Sequence, residues 1–204
     1  MENLLYIYNK ISKQFNTNRV RIWQPVKNFL DNLNKNSKIL DIGCGNGKNM
    51  FYRSDLNFYG IDFCVNFINF VKLKGGKVKY GLLQNIPYGD NTFDHFICIA
   101  SYHHLDNDND RKKSIKEMYR ILKKNGTGVI SVWAMEQEKN SPFHFKNENE
   151  MVPWISRDDG KTYYRYYHIY SKNKLKLEIQ KFEPRFNIID VIYNKGNWYN
   201  IVQK

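Results

Sequence analysis

Leu40-Asp41-Ile42-Gly43-Cys44-Gly45-Asn46-Gly47-Lys48 is the stretch whose reading decides the fold. Residues 39–42 end an apolar run short enough for a buried strand, and three glycines at alternate positions follow it. A residue without Cβ reaches positive φ and lets backbone come close to a ligand, so the strand ends in a tight turn that faces a small molecule. A helix opening after that turn would aim its free N–H groups and the positive end of its dipole at negative charge. Residues 58–61 are the next apolar run, closed by Asp62. A carboxylate at the end of a second strand is placed to accept both hydroxyls of a ribose. The spacing is G-x-G-x-G, with Asp41 two residues ahead of the first glycine, and not the dinucleotide pattern G-x-G-x-x-G.

Outward from this turn the chain alternates. Before it, Leu4, Leu5, Ile7, Tyr8, Ile11 and Phe15 recur at helical spacing, as do Val20, Trp23, Val26, Phe29, Leu30 and Leu33, which predicts two helices over about 4–33. After it come strand 57–61, helix 65–73, a break at Gly75 and Gly76, strand 77–83, strand 93–100, helix 111–123 and strand 127–133. Asn125 and Gly126, which tolerate the left-handed conformation, are expected to close the helix before that strand. Alternation of this kind means a parallel sheet covered on both faces, with ligands at the carboxyl ends of its strands. A helix over 172–182 and strands 186–193 and 198–202, joined through Lys195 and Gly196 as an antiparallel hairpin, complete the chain. The organisation read from 1–204 is a single domain with a substrate-binding insertion at about 135–170.

Composition bounds the function. The 204 residues carry 32 Lys and Arg against 20 Asp and Glu, a formal net charge of +12 that suits a polyanionic partner. No run is long enough for a membrane span, and Glu2, Asn3 and Asn9 interrupt any signal-peptide pattern, so the expectation is an intracellular protein of the cytoplasm or nucleus. Cys44, Cys64 and Cys98 form no C-x-x-C pair, which gives neither a disulfide framework nor a metal signature.

Three places on the carboxyl edge carry chemistry. Residues 82–87 follow the third strand, and Leu83, with Gln84 or Asn85, is a candidate there for the cofactor pocket. Ala100, Ser101, Tyr102, His103, His104 and Leu105 follow the fourth; Ala100 is small enough for backbone to approach a reacting group, and His103 and His104 are candidates to face an acceptor, with one of the pair expected as a helix-start residue holding a structural hydrogen bond. The insertion is the third place. Its first part, including Glu136 and Gln137, reads as exposed loop. Its second part holds Val152, Pro153, Trp154 and Arg157, then Tyr163 to Tyr170, in which Tyr164, Tyr166, His168 and Tyr170 share one face of a strand and Tyr163, Arg165, Tyr167 and Ile169 the other. Aromatic rings mixed with Arg on both faces suit unstacked bases and phosphates.

The glycine turn with Asp41 ahead of it resembles the first motif of S-adenosylmethionine-dependent methyltransferases. The wider set is narrower in meaning: Arg19 with Trp23, His103-His104, Trp133-Ala134-Met135-Glu136-Gln137, Val152-Pro153-Trp154, Arg165-Tyr166-Tyr167-His168 and Asn197-Trp198-Tyr199. Together these are similar to the eukaryotic tRNA wobble-uridine carboxymethyl methyltransferases, over nearly the whole chain from Tyr8 to Lys204. The resemblance implies an α/β, Rossmann-like class I methyltransferase fold, a mostly parallel seven-stranded sheet with helices on both faces and an antiparallel C-terminal strand. It implies S-adenosylmethionine (S-adenosyl-L-methionine) as cofactor, held by Arg19, Asp41, Gly43, Gly45, Asn46, Gly47, Asp62, Phe63, Leu83, Gln84 and Ala100. It further implies that the substrate is 5-carboxymethyluridine at the tRNA anticodon wobble position, contacted by Arg19, His103, His104, Trp133, Arg157, Arg165, Tyr166, His168, Asn197 and Trp198, with Arg165 and His103 positioning it. Leu82 stands where related enzymes place an acid for adenine. A small zinc-binding activator subunit, docked near the edge strand 77–83, is implied as partner. The rival readings are a small-molecule O- or N-methyltransferase and an inactive cofactor-binding RNA module.

Overall fold

The computed structural model describes residues 2–204. Nine strands are present among them, β1 (Lys38–Ile42), β2 (Asn57–Asp62), β3 (Val78–Tyr80), β4 (Phe93–Ile99), β5 (Leu122–Trp133), β6 (Asn149–Ile155), β7 (Thr162–His168), β8 (Asn187–Asn194) and β9 (Asn197–Gln203). The helices are α1 (Glu2–Asn18), α2 (Gln24–Asp31), α3 (Val65–Leu73), α4 (Asp108–Ile121) and α5 (Lys174–Phe182), with a short 3₁₀ turn at Tyr102–His104. Seven strands form one sheet in the order β3-β2-β1-β4-β5-β9-β8, while β6 and β7 pair separately. All neighbours are parallel except β9, which runs against both β5 and β8. This is the mostly parallel, doubly covered sheet with a reversed terminal strand that the sequence predicts.

The alternation of apolar side chains sorts the core into two layers. Leu40, Ile42, Phe96, Cys98, Ile130 and Val132 face Ile115, Met118 and Ile121 of α4 and Leu175 and Ile179 of α5. Ile39, Ile97, Val129 and Tyr199 point the other way, onto Val26, Phe29 and Leu30 of α2 and Ile68 and Val71 of α3. Period two along each strand thus gives the sheet two apolar faces, each closed by the apolar stripe of a helix pair. α1 sits apart, with Ile7, Tyr8 and Ile11 packed on Cys64 and Phe67 at the top of α3.

Four expectations are corrected. No α-helix follows the glycine turn; the chain makes consecutive i to i−3 turns instead, with Gly47 N–H donating to Cys44 O at 3.0 Å and Met50 N–H to Gly47 O at 2.9 Å. Gly45 and Gly47 both hold positive φ, at 54° and 75°, which breaks any helical run as it starts. α2 begins only at Gln24, because Pro25 fits the first turn of a helix and no later position, so Val20 stays outside it and exposed. α4 starts earlier, where the Asn107 side chain accepts from Asp110 N–H, and β5 begins directly at Leu122; Asn125 is left-handed as expected, at φ 63°, but inside the strand. β3 is three residues long, at the sheet edge, and Leu82 bridges to Asn85 in place of extending it.

The insertion is a β6–β7 hairpin, in register from Asn149 opposite His168 to Ile155 opposite Thr162. Its stem is anchored by the segment read as exposed loop. Gln137 Nε2 donates to the carbonyls of Ala134 (2.6 Å) and Gly196 (3.0 Å), and Glu136 accepts from Trp198 Nε1 (3.0 Å) and Lys172 N–H (3.0 Å). Polarity suggested solvent there, yet these side chains hydrogen-bond to the backbone of residues 134, 172 and 196 and to the Trp198 indole.

Candidate active site

At the carboxyl ends of β1, β2 and β4 lies a cleft, open to solvent on one side and roofed by α1. Its floor is the glycine loop. Gly43 holds φ +71°, and a Cβ there would stand 2.3 Å from Ser101 Oγ, whose hydroxyl donates to Gly43 O at 3.1 Å. The two loops that frame the cleft are therefore in direct contact at a point where only hydrogen fits. Gly43→Ala is expected to lower stability by about 2–4 kcal/mol through left-handed strain and overpacking, read as an earlier denaturation midpoint.

Asp62 ends β2 at 4% exposure, with one carboxylate oxygen accepting Gly45 N–H at 2.8 Å and the other Cys64 N–H at 2.9 Å. Burial pushes it up to about 6 against those bonds. Lone pairs remain on both oxygens for a diol. Phe63, Phe67, Gly81, Leu82, Leu83 and Gln84 continue the wall as a largely apolar slot for a flat ring. At the other end Arg19 and Lys48 bring positive charge; burial, then the Arg19 charge, pulls Lys48 down to about 8. Between them the buried Asn49 Oδ1 has no hydrogen-bond partner. A ribose acceptor, an apolar slot, cations for a carboxylate and a free acceptor for an ammonium fit S-adenosylmethionine group by group.

Asp41 lies behind this floor, 1% exposed, near Asn49 Nδ2 at 3.4 Å. It does not line the cleft, and neither does Gly47, whose Cβ would meet Val71 at 2.8 Å. Burial raises the Asp41 carboxyl to about 7, against the Asn49 bond and the Lys48 charge that lower it. The unfolded chain releases that proton near pH 4, so between about 4 and 7 the folded chain binds more protons and raising the pH weakens it. Wild-type stability measured against Asp41→Asn is expected to fall across that window by a few kcal/mol, on the order of 1.4 per pH unit. A pH-independent difference would contradict the buried protonated acid.

The wall opposite the cofactor side is built by β7, the 3₁₀ turn and α1. Arg165 is 3% exposed, with its guanidinium carbon 4.9 Å from the Trp154 ring centre and 5.2 Å from that of Tyr167. The tyrosines Tyr8 and Tyr167 are its neutral electrostatic neighbours, and its buried Nε has no hydrogen-bond partner. No acidic side chain pairs with it among the described residues. A buried charge left unpaired costs several kcal/mol, so this position is suited to an anion from outside the chain. Tyr167 stacks on Trp133 with centroids 4.2 Å apart and planes within 6°. Trp133 is backed by Phe143 and Phe145, which fixes the pair as a rigid wall.

His103 is buried in the same wall. Its Nδ1 accepts Trp133 N–H at 3.0 Å, which puts the proton of the neutral ring on Nε2, and that atom has no partner in the structure. Burial, then the neighbouring His104 and Arg165, hold its pKa well below the usual imidazole range. It is a neutral ring with an unpaired, buried Nε2–H, in a residue that lines the cleft. His104 is occupied on both nitrogens, by Tyr166 O and the Tyr8 hydroxyl, each at 2.8 Å, and burial brings it down to about 3.

Of the residues named from sequence, the cleft gathers Arg19, Gly43, Gly45, Asn46, Asp62, Phe63, Leu83, Gln84, Ala100, His103, His104, Trp133 and Arg165. Five substrate candidates lie outside it. Tyr166 and His168 are on the opposite face of β7, as the strand alternation requires; His168 bonds Asn149 Oδ1 at 2.9 Å. Arg157 is exposed at the hairpin tip, its N–H on Gln14. Asn197 and Trp198 sit on β9, where they hold Lys195 O and Glu136. Sequence reading missed Tyr8 and Tyr167 as wall residues. Tyr167 shares the face of Arg165, a signal that was available; Tyr8 was indistinguishable from core on helical periodicity alone.

This sheet order, glycine floor and terminal Asp62 define a class I S-adenosylmethionine-dependent methyltransferase. The methyltransferase domain family matches residues 40–130. A solved S-adenosylmethionine-dependent methyltransferase from Methanosarcina mazei superposes with a TM-score of 0.69 at 19% identity, over 90% of this chain and 98% of its own. Among curated proteins, a tRNA (carboxymethyluridine(34)-5-O)-methyltransferase of Schizosaccharomyces pombe is 31% identical, covering 97% of this chain and 94% of its own length. The protein of that name in Arabidopsis thaliana is 39% identical over 66% of the chain, which spans only 33% of it. The chain belongs to the tRNA (carboxymethyluridine(34)-5-O)-methyltransferase family.

Proposed function

We propose that the chain esterifies the carboxylate of 5-carboxymethyluridine at the tRNA anticodon wobble position, giving the methoxycarbonylmethyl form. The observation that carries this reading is Arg165, a buried cation with neutral partners facing the cofactor cleft. S-adenosylmethionine, when bound, supplies an electrophilic methyl group. The chain's own residues have a different task. A carboxylate of pKa roughly 4 is ionised at neutral pH, so no general base is needed to make the oxygen nucleophilic. Arg165 holds the anion, His103 Nε2–H offers a second donor, and one oxygen stays free to react. Tyr167 and Trp133 exclude water, which would otherwise solvate the nucleophile. Orientation and desolvation by these groups are the catalysis.

The test is incubation with labelled S-adenosylmethionine and tRNA that carries the free acid, followed by nucleoside analysis. Label in the methyl ester of the wobble uridine is expected; label on free metabolites with none on RNA would favour the small-molecule reading. The positive charge of the chain, +12, supports an RNA partner and a salt-sensitive affinity. Among the described residues no helix is long and apolar enough to cross a membrane. We propose the cytoplasm, and also the nucleus, as the site of the activity.

A small zinc-binding activator subunit is proposed at the β3 edge. That edge is short and unpaired on one side, with Tyr80 57% and Leu73 86% exposed beside it. Unpaired strand groups beside exposed apolar side chains invite another chain. Co-expression with such a subunit is expected to raise soluble yield several-fold; a well-behaved, fully active chain on its own would remove the dependence.

A further inference from the structure

Behind the wall that carries His103 and Trp133 stands a carboxylate, Glu178 of α5, whose side chain is 11% exposed. Its Oε1 accepts the Tyr102 hydroxyl at 2.7 Å and the Tyr170 hydroxyl at 2.9 Å, and both of those rings are fully buried. Tyr102 opens the 3₁₀ turn and immediately precedes His103. Tyr170 is fixed to the end of β5 from both sides: its N–H donates to Trp133 O at 3.0 Å, and its carbonyl accepts Met135 N–H at 2.9 Å. Trp133 N–H in turn donates to His103 Nδ1 at 3.0 Å. One carboxylate oxygen thus joins the histidine turn to the strand end that presents Trp133. The other lies 3.4 Å from Arg111 Nε on α4, and Arg111 Nη1 donates to Leu105 O at 2.9 Å. His103 and His104 are therefore bracketed, by α5 through the residue before them and by α4 through the residue after them.

Packing alone already holds α4 and α5 on the sheet, through Ile115, Met118, Leu175 and Ile179. A buried ion pair adds little net stability to such a core, and apolar side chains of similar volume often replace one without loss. What Glu178 supplies is direction, since hydrogen bonds constrain distance and angle where apolar contact does not. We propose that Glu178 is a positioning residue for methyl transfer, which sets through Tyr102 and Tyr170 where His103 and Trp133 stand in the substrate wall. None of Glu178, Arg111, Tyr102 and Tyr170 lines the cleft, so the effect passes entirely through the residues they hold. The proposal rests on the carboxylate-esterifying reading above and adds to it the support that fixes the geometry of the wall.

Tyr102→Phe and Tyr170→Phe each remove one hydroxyl and keep the ring, so the core stays filled. Steady-state kinetics of the full chain with carboxymethyluridine-bearing tRNA are set beside cofactor calorimetry and thermal melting. In each variant kcat is expected to fall about 10-fold, with KM for RNA and S-adenosylmethionine affinity within about twofold and Tm within about 4 °C. The double variant should lose about 100-fold in kcat. Protein labelled with ¹⁵N-histidine gives a second readout. In the wild type His103 Nδ1 is an acceptor and Nε2 carries the proton; in Tyr102→Phe its two nitrogen signals are expected to move toward each other as the other tautomer becomes populated. Wild-type kcat in all three variants overturns the proposal. So does a joint fall of kcat, RNA affinity, cofactor affinity and Tm, which is the mark of a merely structural role, and so does a fall in kcat with the His103 signals unmoved in Tyr102→Phe. A wild-type chain that transfers no methyl to this RNA overturns the esterification reading and this inference with it; an active wild type matched by its variants overturns the inference alone.

Discussion

Replacing Arg165 with Ala is expected to cut methylation of carboxymethyluridine-bearing tRNA by about two to three orders of magnitude in kcat/KM, while S-adenosylmethionine affinity stays within about threefold. The asymmetry follows from position. Arg165 touches Trp154 and Tyr167 and is on β7, whereas the ribose and base ends of the cofactor slot are built by the loops after β1, β2 and β3 and the cationic end by Arg19 and Lys48. Removing one member of a desolvated ion pair typically costs about 3–5 kcal/mol, and that pair forms only with substrate. Lys at this position keeps the charge but loses the planar fork and the ring sandwich, so Arg165→Lys should recover only a small part. Steady-state kinetics with tRNA, set beside calorimetry with the cofactor, separates the two effects. Unchanged turnover in Arg165→Ala would remove the clamp from the mechanism.

For Asp62→Ala the expectation is the reverse, loss of S-adenosylmethionine binding by at least about 100-fold. Two causes act together. The acceptor for the ribose hydroxyls disappears, and the N–H groups of Gly45 and Cys64 lose their shared partner, so the glycine floor is no longer held against β2. Each buried donor left unpaired costs about 1–3 kcal/mol. Asp62→Asn keeps one acceptor oxygen and should retain a measurable part of the affinity. Calorimetry showing wild-type affinity in Asp62→Ala would contradict the ribose assignment.

The sheet was readable from sequence because its strands are buried on both faces and bounded by turns that only certain residues make. α3 is found where the apolar spacing put it, and the Lys195-Gly196 hairpin turn has both residues at positive φ. The failures have physical reasons. Residues 48–55 hold no glycine or proline that would have forbidden a helix outright; what breaks the run is the positive φ at Gly47, where a Cβ would meet Val71 at 2.8 Å. The site was readable where geometry is local. The glycines and Asp62 lie at strand ends, and strand ends are visible. Arg165, Tyr166, Tyr167 and His168 divide between two faces by alternation, yet which face meets the cleft is decided by β6 and α1, and no spacing within β7 carries that information. Tyr8 shows the same limit, since a helix stripe has one appearance whether it meets core or ligand.

Gly196 holds φ 72°, and a Cβ there would lie 2.4 Å from Gln137 Oε1, while Gln137 Nε2 binds the carbonyl of the same glycine. The bend that finishes the main sheet is thereby riveted to the root of the arm bearing Arg165. That arm is not a portable cassette: grafted onto another methyltransferase without this bend, it would lose the rivet that aims it. Drift at either end of the Gln137–Gly196 fastening would have to be answered at the other, however far apart the two lie along the chain.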